Sequence, residues 1–270
     1  MIKLKDVIRI DDPAQYKLHL ACRNEDWVSP LDEYVTDDKN WLGWNEWRGN
    51  KNDWTRDYVF SLMAFYPRTD AWLFGGVFKV IERNKDHYVL QEIDDYKKYV
   101  GRVILTFHRY QGMRGRAYYL ENYIEKFEVS EILPNAYSGE SFPGYENICH
   151  EFNVLEPIFK TERSDWKAAL SSVKGVYLIS DKSNGKKYVG SAYGGTGIWS
   201  RWACYIGTGH GWNDELTKLI NERQMKYARE NFRMSILEIM TMSTPDDAVI
   251  SRESHWKNSL LSKSHGYNKN

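Results

Sequence analysis

Two short tyrosine-bearing segments, Gly175-Val176-Tyr177 and Tyr188-Val189-Gly190, place a second phenol eleven positions after the first. Two phenols at one phosphate would give directional O–H contacts, and one of them could surrender its proton if a cation stood close, since an ordinary phenol ionises only near pH ~10. Arg201 follows, with Tyr205 one helical turn later and therefore on the same helical face. A guanidinium is permanently charged, and its fork of donors matches phosphate oxygens that gain charge during displacement at phosphorus. Glu253 stands apart from any HExxH or clustered Asp/Glu motif. One carboxylate plus waters can hold a hard divalent cation weakly, until a phosphate completes the shell. The glycine pairs at 75–76 and 112–115 lack the Lys-Ser/Thr ending and the full spacing of a phosphate loop, and are set aside.

The elements that must position these groups can be read in outline. Runs 175–180 and 186–190 flank the polar turn Asp181-Lys182-Ser183-Asn184-Gly185, which predicts an antiparallel hairpin across which both tyrosines could project from one face, a placement that spacing alone does not fix. A glycine-rich bend, Gly194-Gly195-Thr196-Gly197, leads into a helix over 198–205. A second helix is expected over 214–222 and a third strand over 232–239. The last helix, ending near 261, has Thr244 as its cap, Pro245 at its first position and Asp247 completing a Thr-x-x-Asp pattern. Upstream, runs 72–81, 88–93, 101–108 and 117–129 are rich in β-branched and aromatic residues between charged or Gly-containing turns. The expected fold class is α+β: a mainly β, barrel-like unit over 1–163, then an α/β unit over 164–270 with a small antiparallel sheet flanked by helices. Ser164, a candidate cap, marks the break.

The ordered series from Tyr177 through Tyr188-Val189-Gly190-Ser191-Ala192, Arg201-Trp202, His210 to Leu216, 232–238, Arg252-Glu253-Ser254 and Gly266-Tyr267-Asn268 resembles the GIY-YIG nuclease family over roughly 172–270. That resemblance implies active-site roles for Tyr177 and Tyr188, an essential Arg201, a polar partner in Tyr205, Glu253 as ligand of Mg²⁺ or Mn²⁺, and Asn268 as the terminal asparagine of some members. Ser191 and His210 are candidates for substrate contact. Val189 replaces the commoner Ile, and the glycine-rich bend lengthens the path from Tyr188 to Arg201. By family habit the implied substrate is DNA.

The chain has no net charge, yet residues 1–165 hold 22 Lys and Arg against 28 Asp and Glu, a net −6, and 166–270 hold 15 against 9, a net +6. A polyanion is therefore expected on the C-terminal part. Aromatic residues make up 15% of the chain, including 11 Trp, and four of these, Trp41, Trp44, Trp47 and Trp54, crowd into 41–56 among Asn and Arg. Trp44 and Trp47 are candidates for stacking on an exposed base, against the plainer reading of Trp as core bulk. A mostly β module before a nuclease domain is similar in layout to restriction-type enzymes whose PUA-like barrel senses modified bases. Three widely spaced cysteines form no CxxC pair, the first residues carry acids where a signal peptide is apolar, and no run approaches the ~18 apolar residues of a membrane span. These features predict a cytoplasmic endonuclease selecting its DNA through the N-terminal unit, in restriction or defence. A repair or mobile-element nuclease stays open, as does a catalytically quiet DNA-binding or modification-sensing protein, whose sign would be a broken Tyr, Arg or Glu position. None is broken.

Overall fold

The computed structural model describes residues 2–269 and divides into two units, Met1–Ser138 and Gly139–Asn270. The first is built on a seven-stranded sheet of β1 (Tyr16–Ala21), β2 (Tyr58–Ala64), β3 (Ala71–Arg83), β4 (Tyr88–Glu92), β5 (Val103–Thr106), β6 (Ala117–Tyr119) and β7 (Glu128–Ile132). The order is β6-β1-β2-β3-β5-β7, with β4 also on β3; β1 and β2 are parallel and the other pairs antiparallel. Alternate side chains of a strand point to opposite faces, and both faces here are covered. Phe60 and Leu62 of β2 join Leu18, Leu20 and Phe74 in one core, to which α1 (Leu4–Val7) adds Leu4. Val59 and Met63 join Leu73 and Ile104 in the other, where α2 (Pro30–Thr36) adds Leu31 and α3 (Asp38–Glu46) adds Trp41.

The expected barrel is not closed: among the described residues the outer strands β6 and β7 do not pair. The run 117–129, read from sequence as one strand, is interrupted by two 3₁₀ turns, Leu120–Asn122 and Ile124–Lys126, which bury Leu120 and Ile124. It therefore supplies two short edge strands instead of one closing strand. The sequence reading also passed over β1 and β2, because Lys17, His19 and Ser61 break their apolar runs although all three are buried.

The second unit contains β8 (Cys149–Glu151), α4 (Phe152–Lys160), α5 (Ser164–Ser171), β9 (Val173–Asp181), β10 (Lys187–Ala192), α6 (Gly197–Thr208), α7 (Asp214–Asn231), β11 (Phe232–Thr241) and α8 (Asp246–Ser259). Its antiparallel sheet runs β10-β9-β11-β8. Phe152, Leu155, Ile158 and Phe159 of α4 enter one core with Trp166, Tyr177, Trp202 and Phe232. Helix α8 starts from Pro245, and Thr244 makes no side-chain cap.

The division falls upstream of the expected 163/164 boundary. Besides the packing of α4, long-range ion pairs tie this segment to the second unit: Glu156 to Arg229 at 2.7 Å, and Glu151 to Arg233 at 2.6 Å and to Lys182. Those acids cancel much of the cationic excess. Counted by the structural units, the net charge is −2 for residues 1–138 and +2 for 139–270, so positive character belongs to particular surfaces and not to a whole unit.

Candidate active site

In the β9–β10 hairpin Tyr177 lies opposite Gly190 and Tyr188 opposite Ile179, which puts both phenols on one sheet face. A Cβ at residue 190 would fall on the Tyr177 phenol, so glycine there is what lets the ring lie across the neighbouring strand. Tyr177 is wholly buried, edge-on to Trp202 at 6.1 Å and to Tyr205 at 5.8 Å. Helix α6 brings Arg201 and Tyr205 to the same point. Arg201 donates from Nε to Tyr177 Oη at 3.1 Å and from Nη2 to Tyr205 Oη at 3.2 Å, and the Tyr177 hydroxyl donates to Tyr205 at 3.3 Å.

Burial pushes the Tyr177 phenol above its ordinary range, Tyr188 adds to the rise, and Arg201 opposes it without reversing it. Tyr205 is pushed up in the same way, first by burial and then by Tyr177 and Tyr188. Burial works against charge on Arg201, yet Tyr177 and Tyr205 outweigh it and hold the guanidinium above its ordinary range. Neither buried phenol is placed to take up a proton; both aim the guanidinium, which keeps donors to spare for a ligand.

Tyr188 and Arg201 line a cleft of about 920 Å³ together with Ser191, Trp212, Glu253 and Lys257; Lys263 and Lys269 also border it. Glu253 projects from α8. Its Oε2 accepts from Ser191 Oγ at 2.6 Å and its Oε1 meets Lys257 Nζ at 3.0 Å. Lys269 pairs with Glu215 at 2.8 Å. No group of three or more His, Cys, Asp or Glu could hold a metal among the described residues. One carboxylate beside open cleft volume would suit a hard cation only with further oxygen ligands from outside the chain, and Lys257 competes for Oε1.

Other candidates go elsewhere. Asn268 turns both amide atoms onto the backbone of Val189, accepting from its N–H at 2.9 Å and donating to its carbonyl at 2.8 Å. It closes the free edge of β10 beside Tyr188 instead of facing the cleft. His210 is buried, and its Nδ1 accepts from the Trp212 N–H at 3.0 Å, so it shapes a turn. In the first unit Trp44 is half-buried; Trp47 is 60% exposed, with the Arg116 guanidinium 4.7 Å from its ring centre. Trp212, Lys257, Lys263 and Lys269 line the cleft but were not singled out from sequence. Lys257 could have been found from its i,i+4 spacing to Glu253; Trp212 carries no local signal beyond its flanking glycine.

The sequence matches no protein-family model and no curated protein. Two solved structures resemble part of it: the catalytic domain of the intron endonuclease I-TevI in a mutant form, 31% identical over 36% of this chain and 94% of that one with a TM-score of 0.29, and the catalytic domain of the homing endonuclease I-TevI, 33% identical over 35% and 96% with a TM-score of 0.28. With superposition scores so low, function has to be read from the residues that line the cleft.

Proposed function

We propose that this chain is a cytoplasmic, divalent-cation-dependent endonuclease hydrolysing phosphodiester bonds in DNA. The observation that carries this reading is the Arg201 guanidinium, clamped by Tyr177 and Tyr205 and opening into a cleft shared with Tyr188 and Glu253. The spare donors of Arg201 would bind the scissile phosphate and stabilise the charge gathering on it. Tyr188, the cleft-lining phenol, would hydrogen-bond a phosphate oxygen or the attacking water. Glu253, held in place by Ser191, would hold Mg²⁺ or Mn²⁺, which when bound stabilises the leaving oxygen. Lys263, exposed beside the cleft, would draw in the polyanion. We further propose that the first unit selects the substrate through Trp44 and Trp47, in a restriction or defence setting.

The engagement of both Glu253 oxygens by Ser191 and Lys257 favours a second reading, a catalytically quiet DNA-binding or modification-sensing protein. Incubation with single-stranded, double-stranded and modified DNAs, with and without Mg²⁺ or Mn²⁺, separates the two. Cation-dependent cleavage is expected, with Arg201→Lys and Glu253→Gln each slowing it on the order of 10²–10³-fold while DNA binding persists. Binding without cleavage under every condition selects the quiet reading; cleavage by both variants at the wild-type rate removes the site assignment.

A further inference from the structure

Trp212 is 73% exposed, more than any other large hydrophobic residue of the described chain, and it borders the cleft that holds Arg201 and Lys257. Its φ of 64° is a left-handed conformation that a bulky side chain rarely adopts, and it follows Gly209 at 76° and Gly211 at 55°. The turn is held from several sides. Trp212 N–H donates to His210 Nδ1, which Thr217 Oγ1 also approaches at 3.1 Å, and Gly211 N–H donates to Thr208 Oγ1 at 2.8 Å. A Cβ at residue 211 would fall on the ring of Tyr205, so the backbone of this turn packs directly on the residue that orients Arg201. His210 meets the indole at 5.1 Å with the two rings at 78°, and at 73% exposure most of the indole surface stays open, whereas the other strongly exposed tryptophan, Trp47, has Arg116 over its ring.

We infer that Trp212 is a stacking platform for an unpaired nucleobase beside the scissile phosphate, so that the preferred substrate is nucleic acid with a displaced or single-stranded base at the cut. The inference rests on the nuclease reading above. An indole face is sequence-tolerant because every base presents a π face, but a base reaches it only after leaving its stack. Cations in the cleft bind any backbone alike. An indole set rigidly among them adds a requirement that a regular duplex does not meet.

The test uses the full chain and two DNAs of one sequence, a complete duplex and the same duplex with one unpaired 2-aminopurine, comparing wild type, Trp212→Ala and Trp212→Phe. Wild type is expected to cut the second DNA about ten-fold faster and to quench the 2-aminopurine on binding; Trp212→Ala loses both the preference and the quenching, and Trp212→Phe retains most of each. Each protein's duplex cleavage is its own reference, so the preference is read as the ratio of its two rates. Equal cleavage of both DNAs by wild type, or unaltered preference and quenching in Trp212→Ala, overturns the inference. If no protein cuts either DNA, the nuclease reading fails, and the quenching comparison still decides whether the indole stacks on a base.

Discussion

In the first unit four tryptophans fall between positions 41 and 54, and two of them lie fully in its interior. Trp41 and Trp54 are buried, and their indole N–H groups donate to the carbonyls of Gly75 and Asn45, both at 2.8 Å. Trp47 remains exposed but lies beside Arg116, which also stacks on Trp54 at 4.8 Å and pairs with Asp53 at 2.9 Å. In the second unit Trp212 stands on a strained turn, 73% exposed at the border of the cleft that holds Arg201. Density of tryptophan in a sequence thus reports buried volume, whereas presentation to a ligand is set by backbone conformation and by what already covers the ring.

The largest effect that would sharpen this contrast is on folding. Trp54→Ala is expected to cost about 3–5 kcal/mol in urea unfolding of the full chain, and Trp47→Ala less than about 0.5 kcal/mol. Equal costs would break the division between core and surface tryptophans.

Next comes the polar core that these rings enclose. His19 is fully buried beside Trp41 and Trp54, its Nδ1 2.8 Å from Asn45 Oδ1 and 2.9 Å from Ser61 Oγ. Burial, reinforced by Arg116, pushes the imidazole down to about 3, while Asn45 opposes the shift. The folded state therefore keeps this ring neutral where the unfolded chain, titrating near pH ~6.5, takes up a proton. Stability from this group is complete above that pH and falls by up to about 1.4 kcal/mol per pH unit below it, until pH approaches the folded value. Denaturant midpoints between pH 7 and 5 should show this slope in wild type and a flatter one in His19→Gln; parallel slopes would place the protonation elsewhere.

The smallest effect concerns selection. A Trp44→Ala/Trp47→Ala protein should keep wild-type cleavage of its best DNA and shift its preference among DNA forms by about five-fold, within the stacking energy of one base. Uniform activation on every DNA would instead mean that the first unit restrains the nuclease.

The hairpin and its tyrosines were legible because they depend on local spacing: a short polar turn between two strand-like runs makes an antiparallel pair, and in the register it adopts Gly190 lies opposite Tyr177. Arg201 and Tyr205 were legible for the same reason, being one turn apart on α6. What joins distant positions was not. The pairs Glu151–Arg233 and Glu156–Arg229 that assign 139–163 to the second unit span most of that unit. The central strands β1 and β2 were hidden by polar residues whose partners, such as Asn45 on α3 for His19 and Ser61, come from other elements. The open edge of the first sheet depended on two 3₁₀ turns that β-rich composition does not reveal.

Asn268 has a consequence beyond the cleft. An outer strand normally offers bare N–H and C=O groups to any other extended chain, and proteins blunt such edges against unwanted pairing. At Val189 both groups are already taken by the Asn268 amide, and nearby the Tyr267 N–H donates to the Lys187 carbonyl at 2.9 Å. At the opposite edge β8 spans only Cys149–Glu151. A strand from another molecule would have to displace an intramolecular clamp at one end of this sheet and would find little to zip onto at the other. The same residue that braces the tyrosine-bearing strand thereby guards the second unit against edge-to-edge aggregation.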